Sequence, residues 1–116
     1  MNAARILIID DEPHWIDFAK EDLNQPLFEI VVAKNIAEAM QWLDENRFVL
    51  VIASSGYLEE LQKISDRYKM IITTVHPSTQ EARAAYKMGA ERYLAKSFGS
   101  RDLLESVQEV LPLADR

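Results

Sequence analysis

The chain has 116 residues, of which 48% are hydrophobic and 28% charged, so it can form one domain with a buried core but not two ordinary domains. Its net charge of -6 argues against direct binding to DNA or RNA and suits a protein-binding module or a cation site. The absence of cysteine excludes disulfides, thiolate metal sites and cysteine nucleophiles. Because it has neither an apolar run of roughly 20 residues nor a secretory signal pattern, we expect a cytoplasmic protein without membrane contact.

In the first part of the chain, the apolar residues alternate between the pattern of a buried strand and the spacing of a helix. The run of residues 5–9, apolar after its first residue, is typical of a strand buried on both faces. Pro13 then suits the first turn of a helix, where no backbone N–H is needed. Residues 28–33 are predicted to form a second strand. Asn35 and Glu38 have the spacing of a capping box, which predicts the start of a second helix.

The middle of the chain repeats this pattern. Residues 48–53 carry no polar side chain and are predicted to form a third strand, followed by a short helix over residues 57–67. A fourth strand is predicted over residues 69–74. Ser78 and Glu81 form a second capping-box pair, which predicts the start of a fourth helix.

The last part of the chain completes the alternation. Gly89 is a good left-handed C-cap for the fourth helix, and residues 92–95 are predicted to form a fifth strand. The last helix is predicted to begin near Leu103 and to end at Pro112. Strands that alternate with helices imply an α/β fold in which helices cover both faces of a parallel sheet. We therefore expect one doubly wound domain over residues 1–116, with strand order 2-1-3-4-5 and a ligand crevice at the carboxyl ends of strands 1 and 3.

Polar side chains follow four of the predicted strands: Asp10 and Asp11, Ser54, Thr74, and Lys96. Two adjacent carboxylates at a strand end can hold a hard divalent cation such as Mg²⁺. Thr74 can hydrogen-bond a phosphoryl oxygen, and Lys96 can pair with its charge. The third strand ends in serine where an aspartate would complete a phosphate-and-magnesium site.

With these residues the chain resembles the response-regulator receiver family of two-component signalling. The resemblance extends over essentially the whole chain and implies a flavodoxin-like (βα)5 receiver fold and a signalling domain that is not an enzyme. The residues that carry it are Ile8-Ile9-Asp10-Asp11-Glu12-Pro13, Thr74, Met88-Gly89-Ala90, Tyr93, Lys96 and Phe98.

The resemblance also implies a role for each site residue. In that family an acidic pair binds magnesium, here Asp10 and Asp11, and an aspartate that ends strand 3 accepts phosphate from a histidine kinase. A threonine and a lysine sense the acyl phosphate, here Thr74 and Lys96. An aromatic residue in strand 5, here Tyr93, changes rotamer on activation, although Tyr93 is equally well explained as an edge-strand residue. The surface formed by helix 4, strand 5 and helix 5 then binds protein partners, and we expect Tyr93 to lie on it.

Two departures from the family pattern change the expected chemistry. Ser54, or Ala53 with a one-residue shift, stands where the acceptor aspartate belongs, and the loss of that carboxylate also weakens any magnesium site. Ser97 replaces the proline that follows the family's lysine in a cis peptide bond. Since a cis bond before a non-proline residue costs ~3 kcal/mol, we expect Lys96–Ser97 to be trans and Lys96 to pair with Asp10 or Asp11.

These departures indicate a pseudo-receiver that acts by protein–protein contact without aspartyl phosphorylation. The expected partner is a protein, such as a histidine kinase or another signalling domain, and the expected cofactor is none, apart from weakly bound Mg²⁺. The alternative is a non-canonical phosphoacceptor that uses Ser54 or Ser55 and a serine kinase. A small-ligand domain is a third possibility, but no glycine-rich phosphate loop supports it.

Overall fold

The computed structural model describes residues 3–45 and 47–111, which contain a parallel sheet in the order β2-β1-β3-β4-β5. This is the strand order predicted from the alternation of strands and helices. The strands are β1 (Ala4–Ile9), β2 (Phe28–Ala33), β3 (Leu50–Ser54), β4 (Met70–Thr74) and β5 (Arg92–Ala95).

Helices connect the strands and cover both faces of the sheet. A 3-10 turn, Ser55–Tyr57, leads into the third of them. The helices are α1 (Pro13–Asp22), α2 (Ile36–Glu45), α3 (Leu58–Leu61), α4 (Thr79–Met88) and α5 (Asp102–Val110). None of these described helices is both long and apolar enough to cross a bilayer.

The alternation of side chains along β1 divides the core into two layers. Ile6 and Ile8 pack on one face against α1 and α5, whereas Leu7 and Ile9 pack on the other face against α2, α3 and α4. All four side chains are fully buried. Burial of each such side chain stabilises the fold by roughly 1.5–3 kcal/mol, so the apolar run predicted as strand 1 forms the centre of the domain.

The third helix differs most from its predicted range. A helix was expected over residues 57–67, but α3 ends at Leu61, and turns follow as far as Arg67. The backbone N–H of Ile64 donates to the carbonyl of Leu61, an i−3 bond that tightens the chain beyond an α-helical path. This tightening buries both Leu61 and Ile64 in the core.

Other boundaries agree closely with the predictions. β3 begins at Leu50 instead of residue 48, and the buried Phe48 precedes it. Gly89 ends α4 with φ of 114°, the left-handed conformation expected at that position. The predicted stop at Pro112 lies outside the described residues, and a single domain over residues 1–116 stays a prediction.

Candidate functional site at the carboxyl edge of the sheet

The carboxyl ends of adjacent strands bring most of the predicted site residues to one edge of the sheet. These residues are Asp10 after β1, Ser54 at the end of β3, Thr74 at the end of β4, and Lys96 after β5. The backbone N–H of Lys96 donates to the carbonyl of Thr74 at 2.7 Å, which continues the pairing of β4 with β5. The crevice predicted from strand order is therefore formed by these four strands.

Lys96 is the centre of a buried group of charges, the ion cluster Asp10–Glu12–Lys96. Its Nζ lies 2.9 Å from Oδ2 and 3.1 Å from Oδ1 of Asp10, and it donates to Oε1 of Glu12 at 3.1 Å. The side chains of Lys96 and Asp10 are only 5% and 2% exposed, whereas that of Glu12 is 39% exposed. Nζ also lies 5.9 Å from the centroid of the Trp15 ring, which attracts a cation through its π-face.

The ion pair between Lys96 and Asp10 confirms one of the two pairings predicted for this lysine. Asp11 is exposed, and Glu12 takes the second place beside the ammonium group. The backbone N–H of Glu12 donates to Oδ1 of Asp10 at 3.1 Å, whereas Oδ2 has no aligned donor among the described residues and contacts Lys96 through charge. The Lys96–Ser97 peptide is trans, as predicted.

The Asp10 carboxylate is already engaged, which counts against a strong magnesium site. Mg²⁺ requires near-octahedral oxygen ligands at about 2.0–2.1 Å, but both oxygens of Asp10 already lie against the ammonium group of Lys96. Within residues 3–45 and 47–111, no group of three or more His, Cys, Asp or Glu side chains is placed to hold a metal. Weak magnesium binding by Asp10 and Asp11 stays a prediction.

Ser54 and Ser55 lie where β3 leaves the sheet, and their hydroxyls contact neighbouring groups. Ser54 Oγ accepts a hydrogen bond from the backbone N–H of Gly56 at 3.4 Å and so caps the 3-10 turn. The hydroxyl of Ser55 helps to lower the pKa of Glu81, whose carboxylate projects from the first turn of α4. Both serines are half-buried.

Glu81 brings a carboxylate to the β4 side of the crevice, where the sequence predicted only a helix cap. Burial favours its neutral form, but hydrogen bonds from the hydroxyls of Tyr93, Thr74 and Ser55 outweigh burial, so the pKa of Glu81 lies below its ordinary value. Thr74 is 3% exposed, and its Oγ1 also accepts the backbone N–H of His76 at 3.2 Å. The predicted phosphate-sensing threonine therefore already faces an anion of this chain.

Tyr93 points toward α4 and packs against the core. Its hydroxyl donates to Oε1 of Glu81 at 2.6 Å and accepts the backbone N–H of Ser78 at 3.1 Å. Burial raises the pKa of Tyr93, and the hydrogen bond to Glu81 raises it further. The Tyr93 ring is half-buried, and the exposed aromatic residue on α4 is Tyr86, at 50%. That Tyr93 lies on the partner-binding surface stays a prediction.

Comparison with known proteins identifies the family of this chain. The family described as the response regulator receiver domain matches residues 6–108. The chain belongs to that family. The transcriptional regulatory protein GlrR of Escherichia coli strain K12 is 27% identical over 116 residues, which cover 93% of this chain. The crystal structure of a CheY-like receiver domain protein from Methanospirillum hungatei JF-1 has a TM-score of 0.81 at 27% identity, covering 96% of this chain and 95% of that one.

A third similar protein is described as an atypical orphan response regulator with a phosphorylation-independent regulatory mechanism. Its structure has a TM-score of 0.82 at 21% identity, covering 94% of this chain and 96% of that one. That likeness shows the fold alone. The chain spans 26% of the length of GlrR and 49% of the length of CpxR of Escherichia coli strain K12, so it corresponds to the receiver part of these regulators.

Receiver domains are signalling domains of two-component systems and interact with kinases or effectors.

In this receiver, Tyr57 lies at the mouth of the crevice, although no sequence pattern identified it. Its hydroxyl donates to the carbonyl of Lys34 at 3.3 Å. Burial raises the pKa of Tyr57, and the negative charges of Asp11 and Asp10 raise it further. The one signal in the sequence was its place just after β3, at the edge where the site residues gather.

Proposed function

We propose that this receiver domain signals through protein–protein contacts and is not phosphorylated on an aspartate. One observation supports the proposal: β3 ends in Ser54, whereas in the family an aspartate that ends strand 3 accepts phosphate. A carboxylate attacks phosphohistidine to give a labile mixed anhydride. A serine hydroxyl needs a neighbouring base to become a good nucleophile, and its phosphate ester is stable, so it does not replace the aspartate as a reversible switch.

The ion cluster supports the same conclusion. In a phosphorylated receiver the lysine is expected to pair with the acyl phosphate, but here Lys96 is already held between Asp10 and Glu12. Movement of Lys96 toward another anion would leave the buried Asp10 carboxylate without a counter-charge. Such a separation of buried charges costs several kcal/mol, which favours the arrangement in this structure.

The partner surface that we propose is formed by α4, β5 and α5, and the partner is a histidine kinase or another signalling domain. Tyr86 is its exposed aromatic residue. Arg92 and Glu109 form an ion pair of 3.3 Å across β5 and α5, and both are well exposed. An exposed aromatic ring beside charged groups is typical of a residue that anchors a protein interface.

The proposal is tested by incubation of the protein with acetyl phosphate and magnesium, followed by measurement of the intact mass. We expect no hydroxylamine-labile phosphoryl group, because no aspartate ends β3. A receiver with an acceptor aspartate serves as the positive control, and Ser54→Asp shows whether the rest of the crevice supports the reaction. A hydroxylamine-labile phosphoryl group on the wild-type chain would refute the proposal.

The same measurement separates the serine alternative from the proposal. A phosphate that appears only with a serine kinase, resists hydroxylamine and maps to Ser54 or Ser55 would identify these residues as acceptors. The structure gives this alternative no specific support, since both serines are half-buried and their hydroxyls are engaged.

A further inference from the structure

The N-termini of α2 and α4 carry the same sequence signal but different hydrogen bonds. In α2, Asn35 Oδ1 accepts the backbone N–H of Glu38 at 2.8 Å, and Glu38 Oε1 reaches back to the backbone N–H of Lys34 at 2.9 Å. This resembles the reciprocal pattern of a capping box, except that the glutamate accepts from the residue before the N-cap instead of from the N-cap itself. In α4, Ser78 Oγ accepts the backbone N–H of Glu81 at 3.0 Å. The Glu81 carboxylate, however, does not accept the backbone N–H of Ser78, which bonds to another group.

That group is the hydroxyl of Tyr93. It accepts the backbone N–H of Ser78 at 3.1 Å and donates to Oε1 of Glu81 at 2.6 Å. The hydroxyl therefore lies between the N–H and the carboxylate that bond directly to each other in a capping box. We call the chain of bonds from Ser78 through Tyr93 to Glu81 the tyrosine relay. A hydrogen bond to a carboxylate is roughly twice as strong as one between neutral groups, which makes Glu81 the dominant partner of Tyr93.

A second tyrosine fixes the backbone of the same residue. The hydroxyl of Tyr86 accepts the backbone N–H of Tyr93 at 3.1 Å. β5 is the last strand of the sheet, so this N–H points away from β4 and would otherwise lack a strand partner. Both the main chain and the side chain of Tyr93 are therefore tied to α4.

The relay reaches the site through Glu81. Its carboxylate accepts the Tyr93 hydroxyl at 2.6 Å, and the hydroxyls of Thr74 and Ser55 also lower its pKa. At the end of β4, where the resemblance predicts a phosphate-sensing threonine, Thr74 thus interacts with a carboxylate that belongs to the chain.

From this geometry we propose that Glu81 is a built-in anion that holds Tyr93 inward through the tyrosine relay, so that the position of Tyr93 does not depend on a phosphoryl group. The inference rests on the proposed phosphorylation-independent function and names the residue that sets the conformation. When the tyrosine hydroxyl is absent, we expect Glu81 to close the capping box on the backbone N–H of Ser78. The glutamate at the equivalent position of α2, Glu38, makes its return bond one residue earlier, on Lys34.

Amide hydrogen exchange at Ser78 tests the relay, because this N–H is protected by Tyr93 only while the ring points inward. In Glu81→Ala we expect exchange at Ser78 to accelerate about tenfold or more, the effect of losing a charge-assisted hydrogen bond. The χ1 coupling constants of Tyr93 should then show rotamer averaging. In Tyr93→Phe we expect Ser78 to stay protected, because Glu81 replaces the hydroxyl.

Glu105→Ala is the matched control, since Glu105 is an exposed acidic residue in the first turn of α5 and should leave exchange at Ser78 unchanged. If Glu81→Ala fails to fold, Glu81→Gln retains the size and a neutral acceptor and should give a smaller acceleration. Unchanged exchange at Ser78 and a single rotamer of Tyr93 in a folded Glu81 variant would overturn the relay.

The failure of the relay and the failure of the proposed function give different results. If acetyl phosphate modifies the wild-type chain and alters the rotamer of Tyr93, the proposed function fails. If the chain stays unmodified but Tyr93 keeps its rotamer without Glu81, only the relay fails.

Discussion

The two sides of the crevice hold their carboxylates in different ways. On the β1 side, the buried Asp10 is neutralised by a full positive charge, Lys96, at 2.9 Å. On the β4 side, Glu81 is stabilised by neutral hydroxyls, with Tyr93 at 2.6 Å. Among residues 3–45 and 47–111, Lys96 is the only cation paired with Asp10. Glu81 has a substitute in our proposal, because it would bond directly to the backbone of Ser78.

This difference separates a rigid part of the site from an adjustable part. Removal of one member of a buried ion pair leaves an uncompensated charge, which is among the largest single effects on stability. Removal of a hydroxyl from a set of several donors leaves the carboxylate partly satisfied and costs much less. We therefore expect variation at Lys96 to threaten the fold, and variation at Tyr93 to change mainly the conformation of α4 and β5.

The largest effect is expected for Lys96→Met, which removes the cation but keeps an apolar stem of similar length. The free energy of unfolding should fall by about 3–5 kcal/mol, because Asp10 is left buried without a counter-charge. Urea unfolding followed by circular dichroism measures this change.

Two controls accompany this variant. Lys63→Met alters an exposed lysine and should change stability by about 0.5 kcal/mol or less. Glu12→Gln should cost no more than about 1 kcal/mol, since this carboxylate is 39% exposed and partly screened by solvent. A loss below about 1 kcal/mol in Lys96→Met would mean that Asp10 does not depend on Lys96 for its stability, and the proposed contrast between the two sides would fail.

A smaller effect is expected for Tyr93→Phe. The variant removes the hydroxyl but keeps the ring that packs against the core. Because Glu81 can close its capping box on Ser78, the free energy of unfolding should fall by only about 1 kcal/mol. A loss as large as that in Lys96→Met would show that no substitute bond forms and that the two sides are equally rigid.

Short-range patterns made most of the fold predictable. The apolar runs that became β1, β3 and β4 are buried on both faces, and a continuous apolar run is the composition expected of such a strand. The site positions at Asp10, Thr74 and Lys96 followed from strand ends in a parallel sheet. The short α3 was not predictable in the same way, because its last turns depend on where Leu61 and Ile64 reach the core.

Long-range hydrogen bonds account for what the sequence could not predict at the site. The spacing of Ser78 and Glu81 predicted a capping box. Whether the Tyr93 hydroxyl takes part in its hydrogen bonds depends on how β5 lies beside α4. The choice of Glu12 over Asp11 as the second partner of Lys96 likewise depends on the backbone turn after Asp10. At α4 the local motif was correct, and a contact from a distant element changed the outcome, whereas at Lys96 a local turn decided between two neighbouring carboxylates.

The smallest effect is a pH dependence that arises from the relay. The pKa of Glu81 is lowered in the folded state from its ordinary value of 4.5, because hydrogen bonds from Tyr93, Thr74 and Ser55 outweigh the opposing effect of burial. A carboxyl whose pKa is lowered on folding contributes stability above its unfolded pKa and loses that contribution as the pH falls through the folded pKa. The stability of the wild type relative to Glu81→Gln should therefore be constant from pH 7 to about 5 and should decline below about pH 4.5.

Urea unfolding of both proteins at intervals from pH 7 to pH 3 measures this difference, with Glu105→Gln as the control for acidic titration in a helix first turn. The same relay should weaken at alkaline pH, since the pKa of Tyr93 is raised by burial and by Glu81, and an unfolded tyrosine ionises first. The opposite result is a stability difference between wild type and Glu81→Gln that does not change between pH 7 and pH 3. That result would mean that the hydroxyl partners of Glu81 do not stabilise its ionised carboxylate in the folded state. The β4 side of the crevice would then lack the stabilised anion on which the contrast with Lys96 depends.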